Sequence, residues 1–104
     1  MKKIINMKRY DTTTAEEIFT SRNEYSSSDF DYCRETLYLT KNKSWFLHGE
    51  GGADSSYAKF DISGRSSSPG SDITPLTEAE AAAWLADRSA LEFDKHFAHF
   101  AKDA

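Results

Sequence analysis

One stretch limits the possible folds more than any other: Glu35-Thr36-Leu37-Tyr38-Leu39-Thr40-Lys41-Asn42-Lys43-Ser44-Trp45-Phe46-Leu47-His48-Gly49-Glu50-Gly51-Gly52. Two runs of bulky residues, 37–40 and 45–48, flank the polar Lys41-Asn42-Lys43, which is the pattern of a β-hairpin. Asn42 is the turn residue that tolerates left-handed backbone. A three-residue loop sets Leu37, Leu39, Trp45 and Leu47 on one face and Tyr38, Phe46 and His48 on the other. A two-residue loop at Asn42-Lys43 groups Leu37, Leu39, Phe46 and His48 instead, because a one-residue slip inverts a strand. The first register is the one expected. In both registers each face carries aromatics, and an isolated hairpin is marginal in water. Other strands and a helix must therefore cover it.

The 104 residues suit a single domain, 1–104. No apolar run approaches the roughly 18 residues of a membrane span. The opening Met1-Lys2-Lys3-Ile4-Ile5-Asn6 begins like a signal peptide but lacks the apolar stretch that should follow. A lone Cys33 argues against a disulfide scaffold and fits a reducing compartment, so a cytoplasmic location is expected. Charge is unevenly placed. Lys2, Lys3, Lys8 and Arg9 make the first ten residues +4, so the formal total of −4 leaves −8 on residues 11–104. Such a chain will not bind nucleic acid over most of its surface; its acidic body suits a basic partner or simply solubility.

Along the chain, residues 3–10 read as a strand or a tight hairpin with Ile4, Ile5 and Tyr10 in the core. Thr13 with Glu16, or Thr14 with Glu17, matches a capping box and predicts a turn or two of helix before Ile18 and Phe19 become extended. Residues 22–31 form a polar loop pinned by Tyr25, Phe30 and Tyr32. Residues 53–60 read as one helical turn or an irregular strand, and 61–72 as a long surface loop. Thr77 and Glu80 form a full capping box, with Leu76 placed to staple against Ala81. They start a helix running to about Arg88 that buries Ala81, Trp84 and Leu85. Ser89 with Glu92 repeats the signal and starts a second helix with a Phe93, Phe97, Phe100 stripe.

No complete catalytic motif is present. The run His48-Gly49-Glu50-Gly51-Gly52 satisfies neither the P-loop nor the GxGxxG pattern, and a turn requiring positive φ explains its glycines. Cys33, His48 and Glu50 make a nucleophile, base and orienter only if three separate segments converge. Glu92, His96 and His99 share a helix face, but their spacing misses HExxH, so no metal and no cofactor is assigned. Glu24, Tyr25, Asp29, Phe30, Asp31 and Glu35, with Glu50, are the candidate partner-binding residues. Aromatics supply contact area and carboxylates supply steering toward a basic groove. A solvated loop with its aromatics tucked into the core is the plainer alternative.

Lys8-Arg9-Tyr10-Asp11-Thr12, Glu35-Thr36-Leu37-Tyr38, Trp45-Phe46-Leu47-His48-Gly49-Glu50-Gly51-Gly52, Tyr57-Ala58 and Ile73-Thr74-Pro75-Leu76-Thr77-Glu78-Ala79-Glu80-Ala81 together span most of the chain. In these segments it resembles a family of short bacterial proteins carried on phages, plasmids and integrated elements. Met7 departs from the Gly that follows Asn in that family, and Leu39 from a basic residue. The resemblance implies no enzymatic activity. Small acidic proteins of such origin include anti-CRISPR proteins and other inhibitors of host defence.

The expected fold is α+β: a small, mostly antiparallel sheet centred on the hairpin, with C-terminal helices packed on one face. The expected function is non-enzymatic inhibition of a CRISPR effector or related defence complex in the host cytoplasm. The protein would act as a monomer or homodimer, with no direct nucleic-acid or membrane contact. The alternatives are a small enzyme or ligand-binding domain using the His48–Gly52 loop, and a homo-oligomeric structural protein.

Overall fold

The computed structural model describes residues 1–104. Its elements in chain order are β1 (Lys2–Ile5), β2 (Lys8–Asp11), β3 (Glu16–Arg22), β4 (Cys33–Leu39), β5 (Trp45–Gly51), β6 (Lys59–Phe60), β7 (Ser67–Ser68), β8 (Gly70–Leu76), α1 (Glu78–Ala86) and α2 (Ala90–Phe97). A 3-10 turn at Ala98–Phe100 follows α2. The fold is α+β. A four-stranded antiparallel sheet, ordered β3-β4-β5-β8, carries the two helices on one face, and β1-β2 and β6-β7 are separate hairpins.

The expected register is the one found. Leu39 opposes Trp45 and Leu37 opposes Leu47, while Tyr38 opposes Phe46 on the other side of the sheet. The Thr40 amide donates to the Ser44 carbonyl (2.8 Å), leaving Lys41-Asn42-Lys43 as a three-residue loop. The left-handed residue is Lys43, φ 66°, rather than Asn42. In a three-residue hairpin loop it is the last position, after a type I turn, that must go left-handed.

On the helix face, Leu37, Trp45 and Leu47 pack with Ala81, Ala82, Leu85 and Phe97 into the main core. α1 starts as its capping box requires: Thr77 Oγ1 accepts the Glu80 amide (3.1 Å), and Glu80 Oε1 accepts the Thr77 amide (2.8 Å). The helix stops at Ala86, two residues short of Arg88, and Trp84 is only partly buried. Ser89 caps α2 through the Glu92 amide (3.2 Å), but the box is half closed because the Glu92 carboxylate turns to Lys95 and His96. Phe93 and Phe97 pack inward, whereas Phe100 falls in the 3-10 turn and is half exposed.

A smaller core lies on the opposite face, where the β1-β2 hairpin lays Tyr10 edge-on against Phe46 (5.6 Å) beside Ile73. Ile5 joins it. Ile4, one step along the strand, points to solvent and is not a core residue. The hairpin turns through Asn6 (φ 51°) and Met7 (φ 65°), the two-residue geometry that favours Asn-Gly. Met7 is 94% exposed, so its side chain gains no packing in return for the strain. Met7→Gly is expected to stabilise the fold by about 1 kcal/mol, raising the melting temperature by roughly 4–8 °C. An unchanged or lower melting temperature in a calorimetric scan would contradict the strained turn.

Two larger expectations are also corrected. The threonine run forms no helix. Asp11 Oδ1 instead accepts the Thr13 amide (2.9 Å) and hydroxyl (2.7 Å), and the chain turns directly into β3. From Glu16 onward β3 pairs along β4, with a bulge between Glu17 and Phe19, and that ladder outweighs one helical turn. Residues 61–72 are not one loop either: 61–66 are the β6-β7 turn region, and Gly70–Asp72 already pair with β5. Pro75 is tolerated because β8 is an edge strand. No helix is long and apolar enough to cross a membrane.

Candidate functional site

Five of the candidate residues share one structure. Residues 23–32 leave the end of β3 and return into β4 as a loop fixed at its root. Asn23 bridges the two strands: its amide donates to the Cys33 carbonyl (3.1 Å), its Oδ1 accepts the Cys33 amide (3.2 Å), and its Nδ2 donates to the Asp31 carbonyl (2.7 Å). The loop also folds on itself, with the Asp29 amide on the Ser26 carbonyl (2.9 Å) and the Asp31 amide on Asp29 Oδ1 (3.0 Å). From the other side, the Gly52 amide donates to the Tyr32 carbonyl and the Asp54 amide to the Phe30 carbonyl, both at 2.8 Å. Only glycine fits at 52, because a Cβ there would overlap the carbonyls of Asp29 and Phe30.

On this framework Tyr32 turns inward and is buried, whereas Phe30 is 67% and Tyr25 42% exposed. Glu24, Asp29 and Asp31 are exposed beside them. The tucked-in alternative therefore fails for two of the three aromatics. Phe60 and Ile62, on the β6-β7 hairpin, are also exposed. They stand at the same end of the sheet, where Ser27 of the loop, Glu50, Lys59 and Pro69 line one shallow recess, so Glu50 does border the predicted surface. Phe60 ends a stretch that reads as a helical turn or an irregular strand, and Ile62 falls in one whose Ser, Pro and Gly content reads as plain loop. Their only sequence signal is being apolar in such company.

Glu35 is not part of that surface. It sits on the helix face of β4, where its carboxylate accepts the Tyr57 hydroxyl (2.5 Å) and Trp84 Nε1 (3.4 Å) and lies 3.7 Å from an Arg88 nitrogen. The Arg88 guanidinium lies 4.5 Å from the centre of the Trp84 ring. Gly49 makes this network possible. It pairs with Glu35 in the ladder, and a Cβ on it would overlap the Tyr57 ring. Burial, and then the bond to Glu35, push the Tyr57 hydroxyl well above its ordinary range. A raised folded-state value means stability is intact below pH 10 and falls as the pH rises beyond it. Tyr57→Phe is expected to remove much of that alkaline loss. Identical urea midpoints against pH for both proteins between pH 9 and 11 would refute this.

Glu50 lies on the opposite face, where it accepts the Tyr32 hydroxyl (3.3 Å) and pairs with Arg34 (3.6 Å). His48 shares that face and, with Thr12, Thr36 and Tyr38, lines a recess of about 140 Å³. Burial holds the His48 imidazole below its ordinary value. Strand alternation puts Cys33, which pairs with Gly51, on the other side of the sheet from His48, so nucleophile and base do not meet. Burial and nearby Glu35 also push the Cys33 thiol up, away from a reactive thiolate.

The glycine run is no exit loop. Gly49 and Gly51 belong to β5, and neither they nor Gly52 has positive φ. Close approach of other chain segments, not turn geometry, is what requires them. On the helix pair, His96 lies 3.6 Å from Glu92, while His99 lies 3.4 Å from Glu78. No three His, Cys, Asp or Glu side chains converge as metal ligands would. No protein-family model, curated protein or solved structure matches the chain.

Proposed function

We propose that the protein is a non-enzymatic inhibitor that binds a basic, nucleic-acid-binding surface of a host defence complex of the CRISPR type, in the host cytoplasm. The observation that supports this most is the pairing of exposed Phe30 and Tyr25 with Glu24, Asp29 and Asp31 on a loop whose root is hydrogen-bonded from two sides. A held loop loses little conformational freedom on docking. Exposed aromatics gain by desolvation against a partner, and carboxylates speed the encounter with a positive groove. Effectors that hold guide and target strands present such grooves. The resemblance to mobile-element proteins supplies the biological setting.

The test is a binding isotherm with a purified effector at several salt concentrations. One-to-one binding that weakens with salt is expected. Phe30→Ala should weaken it roughly 30-fold, as an anchor worth about 2 kcal/mol would. The Glu24→Gln, Asp29→Asn, Asp31→Asn triple variant should mainly slow association. Absence of a complex with every effector tried at low salt would count decisively against the proposal.

A further inference from the structure

At the opposite end of the sheet the surface reverses sign. The β1-β2 and β4-β5 turns frame a recess of about 520 Å³, with Lys8 and Arg9 from one hairpin and Lys41, Asn42 and Ser44 from the other. Lys43 follows in the same turn. The seven residues of β4 separate this recess from the acidic loop by about 23 Å, at roughly 3.3 Å per residue. Lys8, Arg9, Lys41 and Lys43 are all exposed, and none makes a salt bridge. The carboxylate in the recess lining, Asp11, is occupied by the amide and hydroxyl of Thr13.

The backbone supplies a second observation. Asn6, Met7 and Lys43 are the chain's three non-glycine residues with positive φ, and all three sit in the two turns that frame this recess. Glycine would relieve Met7 and Lys43, yet each position carries a long exposed side chain. Strain retained at a recess of free cations is accounted for when those side chains make contacts outside the molecule.

We infer that this recess binds the phosphate backbone of duplex nucleic acid, without reading its sequence. Three unpaired cations on the two walls, Lys8, Arg9 and Lys41, with Lys43 beside them in the same turn, suit a continuous polyanion better than a single small anion. The recess offers no base-stacking platform, since its one aromatic, Tyr10, is buried in the smaller core, which favours a duplex over a single strand. The excess of acid elsewhere confines such contact to this end. This departs from the expectation of no direct nucleic-acid contact, and it does not depend on the identity of the protein partner.

The test is a titration of the isotopically labelled full chain with a 12-base-pair DNA duplex at 50 mM salt, followed by two-dimensional NMR. A parallel titration uses a polyglutamate peptide of matched charge. Amide shifts concentrated at residues 6–9 and 40–44 are expected, with the duplex bound at least tenfold more tightly than the peptide. Raising the salt to 200 mM should weaken the duplex roughly 100-fold if four phosphates are engaged. Lys43→Gly should melt higher than the parent yet bind the duplex several-fold more weakly. No shifts, shifts centred elsewhere, equal or tighter peptide binding, or undiminished duplex binding by folded Lys43→Gly would each overturn the inference.

Discussion

Phe97→Ala is expected to destabilise the protein by about 4 kcal/mol, a large share of the 5–15 kcal/mol typical of a small domain. Phe97 is 1% exposed and packs on Trp45 with ring centres 4.8 Å apart, with Phe93 and Phe100 beside it. It is also the one fully buried residue of α2, an eight-residue helix too short to persist alone. Truncation therefore removes more than one ring, because it releases the helix and uncovers the Trp45 end of the core. Urea unfolding should show the loss, with Trp fluorescence red-shifted in the native baseline. Phe97→Leu, which keeps most of the volume, should cost much less. A Phe97→Ala cost below about 1 kcal/mol would mean that α2 does not dock as described.

Gly49→Ala is expected to cost about 3 kcal/mol, although alanine is ordinarily no worse than glycine in a strand. The methyl group would occupy the place of the Tyr57 ring, and moving that ring breaks its bond to Glu35. Glu35 would keep Trp84 and Arg88 as partners, but the segment crossing the sheet at Tyr57 would lift. The decisive comparison is a double-mutant cycle. In a Tyr57→Ala background the Gly49→Ala change should cost little, giving a coupling energy of roughly 2 kcal/mol or more. Additive effects would show that the ring and the glycine do not share the slot.

Residues whose role is local could be read directly from the chain. Thr77 and Glu80 cap α1 because both partners of that hydrogen-bond pair lie within four residues. Leu37, Leu39, Trp45 and Leu47 share a face because strand alternation and one short loop determine it. Local pattern and final structure part where a distant segment decides the outcome. Thr13 and Glu16 carry a sound capping signal, but β4 offered Glu16 a ladder. Gly49, Gly51 and Gly52 look like turn residues, and only the return of Tyr57, Ser55 and the 29–30 backbone across them reveals their function. The candidate surface was half legible for the same reason. Glu24, Tyr25, Asp29, Phe30 and Asp31 belong to one short loop and stay together. Glu35 and Glu50 lie on neighbouring strands but on opposite faces of the sheet: Glu50 borders the loop's recess, whereas Glu35 turns to internal partners on the helix face. The exposure of Phe30 and Tyr25 depends on the bonds that hold the loop from Asn23 and Asp54, and no local pattern announces those.

The most direct measurement of the central claim is hydrogen exchange on the protein alone and in one-to-one complex with a CRISPR effector. Docking through the acidic, aromatic end predicts new protection at residues 24–31 and in the β6-β7 hairpin, diminished in Phe30→Ala under the same conditions. A saturated complex that leaves residues 24–31 exchanging as in the free protein would contradict it.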